Sequence, residues 1–174
     1  MTQASGVTPT WVVVAGDIRA SGGMDRANMA LAEWLATTRK VHLVTHAADG
    51  QLHSHPNVTV HQVARPLGRH AFGAPLLRRR ARQVASAILR DQPARIVENG
   101  ASAVTHDVNW LHTVLGCWPK EPRLSLRSVR RTTQRYLQEK RESTVVRKAR
   151  QVICNSHRTQ RDAVERLGIT LDKS

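Results

Sequence analysis

The sequence predicts an α/β protein with a Rossmann-like, doubly wound and mostly parallel sheet. Short apolar runs recur along the 174 residues, and segments with helical spacing separate them. Aromatic residues make up only 3% of the chain, so the core must be built mainly from Val, Leu, Ile and Ala. Such a core suits a buried parallel sheet covered by helices, and the alternation of strands and helices indicates βαβ units.

Six segments have the composition of buried strands. The clearest is the run of β-forming residues at 11–15, which ends at Gly16 and Asp17. Further strands are expected at 41–45, 58–63, 94–98, 108–114 and 151–155. A turn at Asn99 and Gly100 follows the fourth strand.

Four helices are expected between or after these strands. The first begins near Met24, and the second spans 76–90, after a loop at 64–75 that contains two prolines and two glycines. A long basic helix falls within 122–149, and the last spans 159–167, with Ser156 as its N-cap and Gly168 as its C-cap. The inward faces are expected to carry Ala27, Leu31, Trp34 and Leu35 in the first helix, and Leu77, Ala81, Val84 and Ile88 in the second.

Length and composition predict one domain over 11–170, preceded by a disordered polar start at 1–10. The first residues lack the apolar centre of a signal peptide, and no apolar run approaches the ~20 residues of a membrane span. A cytoplasmic protein is therefore expected. Cys117 and Cys154 lack the spacing of a zinc site or of a disulfide framework. His53 and His55 have no third ligand nearby, so no metal is expected.

A formal net charge of +14 is the most unusual feature of the composition. Such a field attracts nucleic acid, anionic membranes or phosphorylated small molecules, and by itself it does not choose among them. It is equally consistent with solvated basic faces. Arg78, Arg79 and Arg80 are candidates for contact with an anionic membrane surface, because they lie on a basic amphipathic helix. Nucleic acid is disfavoured by the scarcity of aromatic side chains and by the lack of a recognised binding motif.

The loop after the first strand is a candidate phosphate-binding site. Gly22 and Gly23 precede the first helix, where glycine lets a ligand approach the backbone and free N–H groups favour an anion. The spacing matches neither the GxGxxG fingerprint nor a Walker loop. A tight turn without a ligand is the alternative interpretation.

Three ordered stretches carry a resemblance to a known family. The first runs from Ser21, Gly22 and Gly23 through a helix to the strand at 41–45, the second covers 99–112 with the segment HDVNWLH, and the third runs from Glu142 to Ser156 with ARQVICNS. Together they resemble the N-terminal domain of family 4 retaining glycosyltransferases. Two departures are Arg39-Lys40, where the family often has Gly-His, and Arg150, where it often has Asp.

The resemblance implies one half of a two-domain GT-B enzyme that needs no metal or other cofactor. The N-terminal domain of such enzymes mostly holds the acceptor, and the C-terminal domain mostly holds the nucleotide-sugar. The expected function is that of an acceptor-side domain in sugar transfer to a saccharide or lipid-linked acceptor. The donor-binding domain is expected to be absent from this chain, so the chain is expected to be inactive alone.

The same resemblance assigns roles to individual residues. His112 is the catalytic candidate, which would reach the interdomain cleft and hydrogen-bond a sugar or acceptor hydroxyl. Gly22 and Gly23 would approach the donor phosphate, and Asp107 and Asn109 would orient the acceptor. Glu142 is expected to pair with a basic neighbour.

The implied partners are a nucleotide-sugar, a saccharide or lipid-linked acceptor, and a C-terminal domain or partner chain. Peripheral contact with the inner face of an anionic membrane is a further expectation. The alternatives are a basic nucleic-acid-binding module and a non-catalytic remnant that binds a sugar or a partner.

Overall fold

A computed structural model describes residues 8–102, 107–118 and 126–170 of the chain. The chain divides into two compact units, Met1–Val97 and Glu98–Ser174. Each unit combines parallel strands with helices, which confirms the predicted α/β, Rossmann-like fold class. None of the helices in the described ranges is long and apolar enough to cross a membrane.

The first unit is built on parallel strands. Its strands are β1 (Thr10–Val14), β2 (Asp17–Ile18), β3 (Val41–Thr45), β4 (Ala47–Ala48), β5 (Val58–Gln62) and β6 (Ala94–Glu98). The last residue of β6, Glu98, is assigned to the second unit. The main strands follow the order β5-β3-β1-β6, and the short β2 and β4 form a separate parallel pair. β3 is parallel to both of its neighbours, with Val41 opposite Trp11 and Val58. The carboxyl ends of these strands therefore lie at one edge, where α/β sheets bind ligands.

Helices cover both faces of the sheet in this unit. They are α1 (Gly23–Ala36), α2 (Gly50–His53) and α3 (His70–Asp91). Leu35 of α1 packs in one apolar cluster with Val13 and Leu43. Because side chains alternate between the faces of a strand, His42 lies on the opposite face from Leu43, and α3 contacts that opposite face through Arg80 and His61.

Two expectations for these helices are corrected. α3 begins at His70, six residues before the predicted start, so Gly73 and Pro75 lie inside the helix. Glycine is used there because the helix backbone approaches the His46 ring closely. Trp34 is 70% exposed, whereas the buried positions of α1 are Asn28, Ala32, Leu35 and Ala36. The apolar face of α1 is therefore narrower than its sequence indicates.

The second unit contains β7 (Val108–Leu111), β8 (Gln151–Cys154), α4 (Leu126–Lys148) and α5 (His157–Asp162). β7 ends three residues before its predicted end, and a 3₁₀ turn follows at Leu115–Cys117. The last helix continues with π-type geometry through Ala163–Leu167 and ends at Gly168 in the left-handed conformation. Its core includes Leu111, Val114, Val146, Val152 and Leu167.

Candidate functional site

The double-glycine loop of the first unit has the backbone geometry of a ligand-approach loop. Gly22 caps α1 with φ 77° and ψ 162°, a conformation that residues with a Cβ rarely adopt. No side chain caps the N-terminus of α1, and a Cβ placed at Gly23 would meet no atom within 4 Å. Both glycines are exposed, so the start of α1 is accessible to an anion.

An ion pair lies beside this loop. Arg65, three residues after β5, donates to the Asp17 carboxylate at 2.5 Å, and Asp17 lies three residues after β1. Asp25 in the first turn of α1 has a pKa raised by burial and by Asp17, while Arg19, Arg65 and His70 oppose the rise. The sequence-based reasoning missed Asp17, Asp25 and Arg65. Their positions just after strand ends, or in the first turn of the next helix, are the signal that could have identified them.

His46 is a buried polar residue at the same edge of the sheet. Its Nδ1 donates to the Val63 carbonyl at 2.9 Å, so Nε2 is the ring nitrogen that remains for a further partner. Among the described residues, no hydrogen-bond partner faces that Nε2. A Cβ at Gly73 would lie 2.7 Å from His46 Cε1 and 2.8 Å from Nε2. The absence of a side chain at Gly73 therefore leaves room for this imidazole.

In the second unit, His112 lies one residue beyond β7. Its ring packs on Trp110 with centroids 4.8 Å apart, and its carbonyl accepts from Thr159 Oγ1 at 3.3 Å. Burial lowers the pKa of His112, so the ring is neutral at physiological pH. Within the described ranges, its buried Nε2 has no hydrogen-bond partner. A neutral imidazole with an unused nitrogen can donate to, or accept from, a ligand hydroxyl.

An open cavity of about 370 Å³ lies at the carboxyl end of β8. Its lining is formed by Cys154, Asn155, Ser156, His157 and Gln160. Leu111 is paired with Cys154, and Asn155 N–H donates to the Leu111 carbonyl at 3.2 Å. His112 therefore follows β7 at the same strand ends as the cavity.

Hydroxyl and amide groups are linked at this cavity. Thr159 N–H donates to Ser156 Oγ at 3.1 Å, which confirms Ser156 as the N-cap of α5. Thr159 Oγ1 donates to Asn155 Oδ1 at 2.8 Å. Asn155 was not among the predicted site residues, although it directly follows a strand, as ligand-binding side chains often do.

The two predicted acceptor residues occupy different environments. Asn109 is completely buried, and its Nδ2 donates to the Gly100 carbonyl at 2.7 Å. Its burial favours a role in holding the turn at Gly100. Asp107 is partly exposed, and its carboxylate lies 4.0 Å from Arg150 Nη1. His106, in the same sequence stretch, lies outside the described residues.

Glu142 is a buried carboxyl group on α4. It is 2% exposed, and its Oε2 accepts from the Leu115 N–H at 2.9 Å. Burial raises the pKa of Glu142 to about 7, with a smaller contribution from Glu139 and opposition from the Leu115 hydrogen bond. Its described partner is thus a backbone amide, whereas the sequence suggested a basic side chain.

The predicted membrane-surface arginines lie on α3. Arg79 and Arg80 are exposed and Arg78 is half-buried. Large apolar side chains near the start of the same helix are also exposed: Leu67 at 81%, Phe72 at 42% and Leu76 at 39%. From residue 50 to residue 90 the sequence contains seven arginines and no Asp or Glu. The segment therefore combines exposed apolar side chains with seven arginines and no acidic residue of its own.

Comparison with protein families shows to which family the chain belongs. The family model described as Glycosyltransferase Family 4 matches residues 21–174, from the residue before Gly22 to the last residue of the sequence. A search of curated proteins gives no match to the chain. Because the family model covers most of the sequence, the chain belongs to glycosyltransferase family 4.

Proposed function

We propose that the chain is the acceptor-side domain of a retaining glycosyltransferase of the GT-B type. The observation that carries the proposal is the cavity at the carboxyl end of β8, together with His112 at the end of the neighbouring strand β7, whose buried Nε2 has no hydrogen-bond partner among the described residues. Sugars present hydroxyl groups, which both donate and accept hydrogen bonds. The hydroxyl and amide groups of Ser156 and Asn155 are suited to the same ligand.

In this proposal each predicted residue has a defined role. His112 hydrogen-bonds a sugar hydroxyl at the reacting end of the acceptor or donor. Asp107 orients the acceptor from a partly exposed position, and buried Asn109 supports that position through Gly100. Gly22 and Gly23 accommodate the donor phosphate at the start of α1, where N–H groups and the helix dipole favour an anion. The reaction is proposed to use a nucleotide-sugar donor and no metal or other cofactor.

We further propose that residues 1–174 do not transfer sugar by themselves. Departure of a nucleoside diphosphate requires strong stabilisation of its charge. A helix N-terminus contributes about 0.3–1 kcal/mol at an exposed site, whereas enzymes lower barriers by roughly 8–23 kcal/mol. The remainder would come from a donor-binding domain, supplied by another segment or chain.

A transfer assay tests whether residues 1–174 require a donor-binding domain for sugar transfer. The purified chain is incubated with a panel of nucleotide-sugars and with saccharide or lipid-linked acceptors, and product is measured by mass spectrometry. We expect no product above the background of a boiled sample. Sustained turnover by the chain alone would refute the proposed dependence on a donor-binding domain.

A second proposed property is peripheral contact with an anionic membrane, on its inner face, through a basic surface formed by α3 and the turn before it. We define this basic surface by exposed Leu67, Phe72 and Leu76 together with Arg79 and Arg80. Apolar side chains can enter the lipid interface while arginines bind headgroup phosphates, with about 1 kcal/mol per basic residue near the surface. A lipid-linked acceptor would then be reached from the bilayer.

A further inference from the structure

Two histidines and one arginine form a hydrogen-bonded chain beside the basic surface. His42 on β3 and His61 on β5 are stacked, with centroids 5.2 Å apart and ring planes 12° apart. His42 Nδ1 lies 2.9 Å from His61 Nε2. Arg80 of α3 places Nη2 at 3.4 Å from His61 Nδ1. These hydrogen bonds therefore connect Arg80 of the basic surface to side chains on two adjacent strands, β5 and β3.

The direction of these hydrogen bonds follows from the chemistry of arginine. A guanidinium group only donates, so His61 Nδ1 must be the acceptor. The proton of neutral His61 is then on Nε2, from which it is donated to His42 Nδ1. Neutral His42 in turn carries its own proton on Nε2. Both rings are neutral in this arrangement, and every proton position is determined by Arg80.

Protonation of either ring disrupts this arrangement. A second proton on His61 would occupy Nδ1, which faces the Arg80 guanidinium, and a second proton on His42 would displace the bond from His61. Burial lowers the pKa of both rings, and His42 and Arg80 contribute to lowering that of His61 to about 4. Arg80 is the charged group that faces the pair from α3, and the rings face each other from β3 and β5.

The segment that contains His61 and Arg80 supplies no counter-charge of its own. No Asp or Glu occurs from residue 50 to residue 90, the segment that contains β5 and nearly all of α3. An anion that pairs with Arg80 must therefore come from outside this segment. Such an anion would draw the guanidinium away from His61 Nδ1 and offset the repulsion that opposes a second proton.

We propose that the Arg80–His61–His42 chain couples proton uptake to the binding of anionic lipid headgroups at the basic surface. This inference rests on the proposed membrane contact. A headgroup phosphate that takes the Arg80 donor frees His61 Nδ1 for a proton, and the new imidazolium adds positive charge to the contact. Because linkage is reciprocal, lipid binding raises the proton affinity of the pair and a lower pH strengthens lipid binding by the same factor.

Sedimentation with vesicles tests the coupling. Vesicles of phosphatidylcholine with phosphatidylglycerol are mixed with the wild-type chain at pH 7.5 and at pH 4.0, near the pKa of His61. The test variant is His61→Gln, which keeps hydrogen-bonding capacity without titrating. The matched control is His53→Gln, an exposed histidine of the same unit. Circular dichroism at both pH values verifies that each protein is folded.

We expect the affinity of the wild type and of His53→Gln to rise by about fivefold for each imidazolium gained between pH 7.5 and pH 4.0. The rise in His61→Gln should be at least threefold smaller than in the wild type, about the effect of losing one such charge. An equal rise in all three proteins would overturn the coupling while leaving the membrane contact intact. A lack of binding at both pH values would refute the membrane contact, and the coupling with it.

Imidazole chemical shifts give an independent measurement. The pKa of His61 is followed by NMR in the free chain and with anionic nanodiscs, and nanodiscs of phosphatidylcholine alone serve as the control. The coupling predicts a pKa that rises by about half a unit or more only with anionic lipid, which is the shift that a severalfold linkage requires. An unchanged His61 pKa in the presence of bound anionic lipid would contradict it.

Discussion

The Glu142→Gln variant should lose a pH dependence of stability that the wild type shows between pH 4.5 and about pH 7. Burial raises the pKa of Glu142 from 4.5 to about 7, so the folded chain binds a proton in this window that the unfolded chain has released. The stabilisation of the folded state by this proton is fully present below pH 4.5 and is lost as the pH rises through 7. A shift of this size corresponds to about 3 kcal/mol.

Urea unfolding of both proteins at pH 4.5, 5.5, 7.0 and 8.0 measures the effect. Glutamine keeps an oxygen that can accept from the Leu115 N–H, so the hydrogen bond is preserved while the titration is removed. The free energy of unfolding of the wild type should fall relative to that of the variant as the pH rises, and the difference should level off above pH 7. A difference that does not change with pH would show that Glu142 titrates normally.

A Gly73→Ala substitution should destabilise the first unit, although alanine is the better helix former. The new Cβ would lie 2.7 Å from His46 Cε1, and the ring is held by its hydrogen bond to the Val63 carbonyl. Overpacking of this kind costs about 1–3 kcal/mol, while replacing glycine inside a helix gains about 0.5–1 kcal/mol. We therefore expect a net loss of about 1–2 kcal/mol in urea unfolding.

A double-mutant cycle with His46→Ala identifies the cause. Without the imidazole, Gly73→Ala should stabilise the unit by the helix-propensity gain alone, about 0.5–1 kcal/mol. Gly50→Ala is the control, because a Cβ there would meet nothing within 4 Å. If Gly73→Ala is equally destabilising with and without His46, the close approach of α3 to that ring is not the reason for the glycine.

Most of the fold could be predicted because its strands are buried and rich in β-forming residues. β3 and β6 lie at their predicted positions, and the other strand boundaries differ by one to three residues. Prediction was wrong where tertiary contacts override local preference. Gly73 and Pro75 are typical of loops, yet they lie in α3, where the lack of a side chain at Gly73 leaves room for the His46 ring.

The candidate site was less predictable, because its residues come together only through the sheet. His112 was identified by its sequence stretch, whereas Asn155 joins it through the pairing of β7 with β8. Arg65 and Asp17 are 48 residues apart in sequence and meet at the strand ends. Burial could not be predicted from the sequence either. The residues next to Asn109 and Glu142 in the sequence do not indicate that these two side chains are buried.

The role of His112 in an acceptor-side domain is tested most directly by saccharide binding. Affinities of the wild type, His112→Ala and the control His53→Gln are measured on a saccharide array at 150 mM salt, with nucleic acid as a separate ligand. We predict that the wild type and the control bind at least one saccharide class, and that His112→Ala binds it about tenfold more weakly, as expected for one lost hydrogen bond. Saccharide binding that does not depend on His112, or binding only to nucleic acid with a steep salt dependence, would contradict the account.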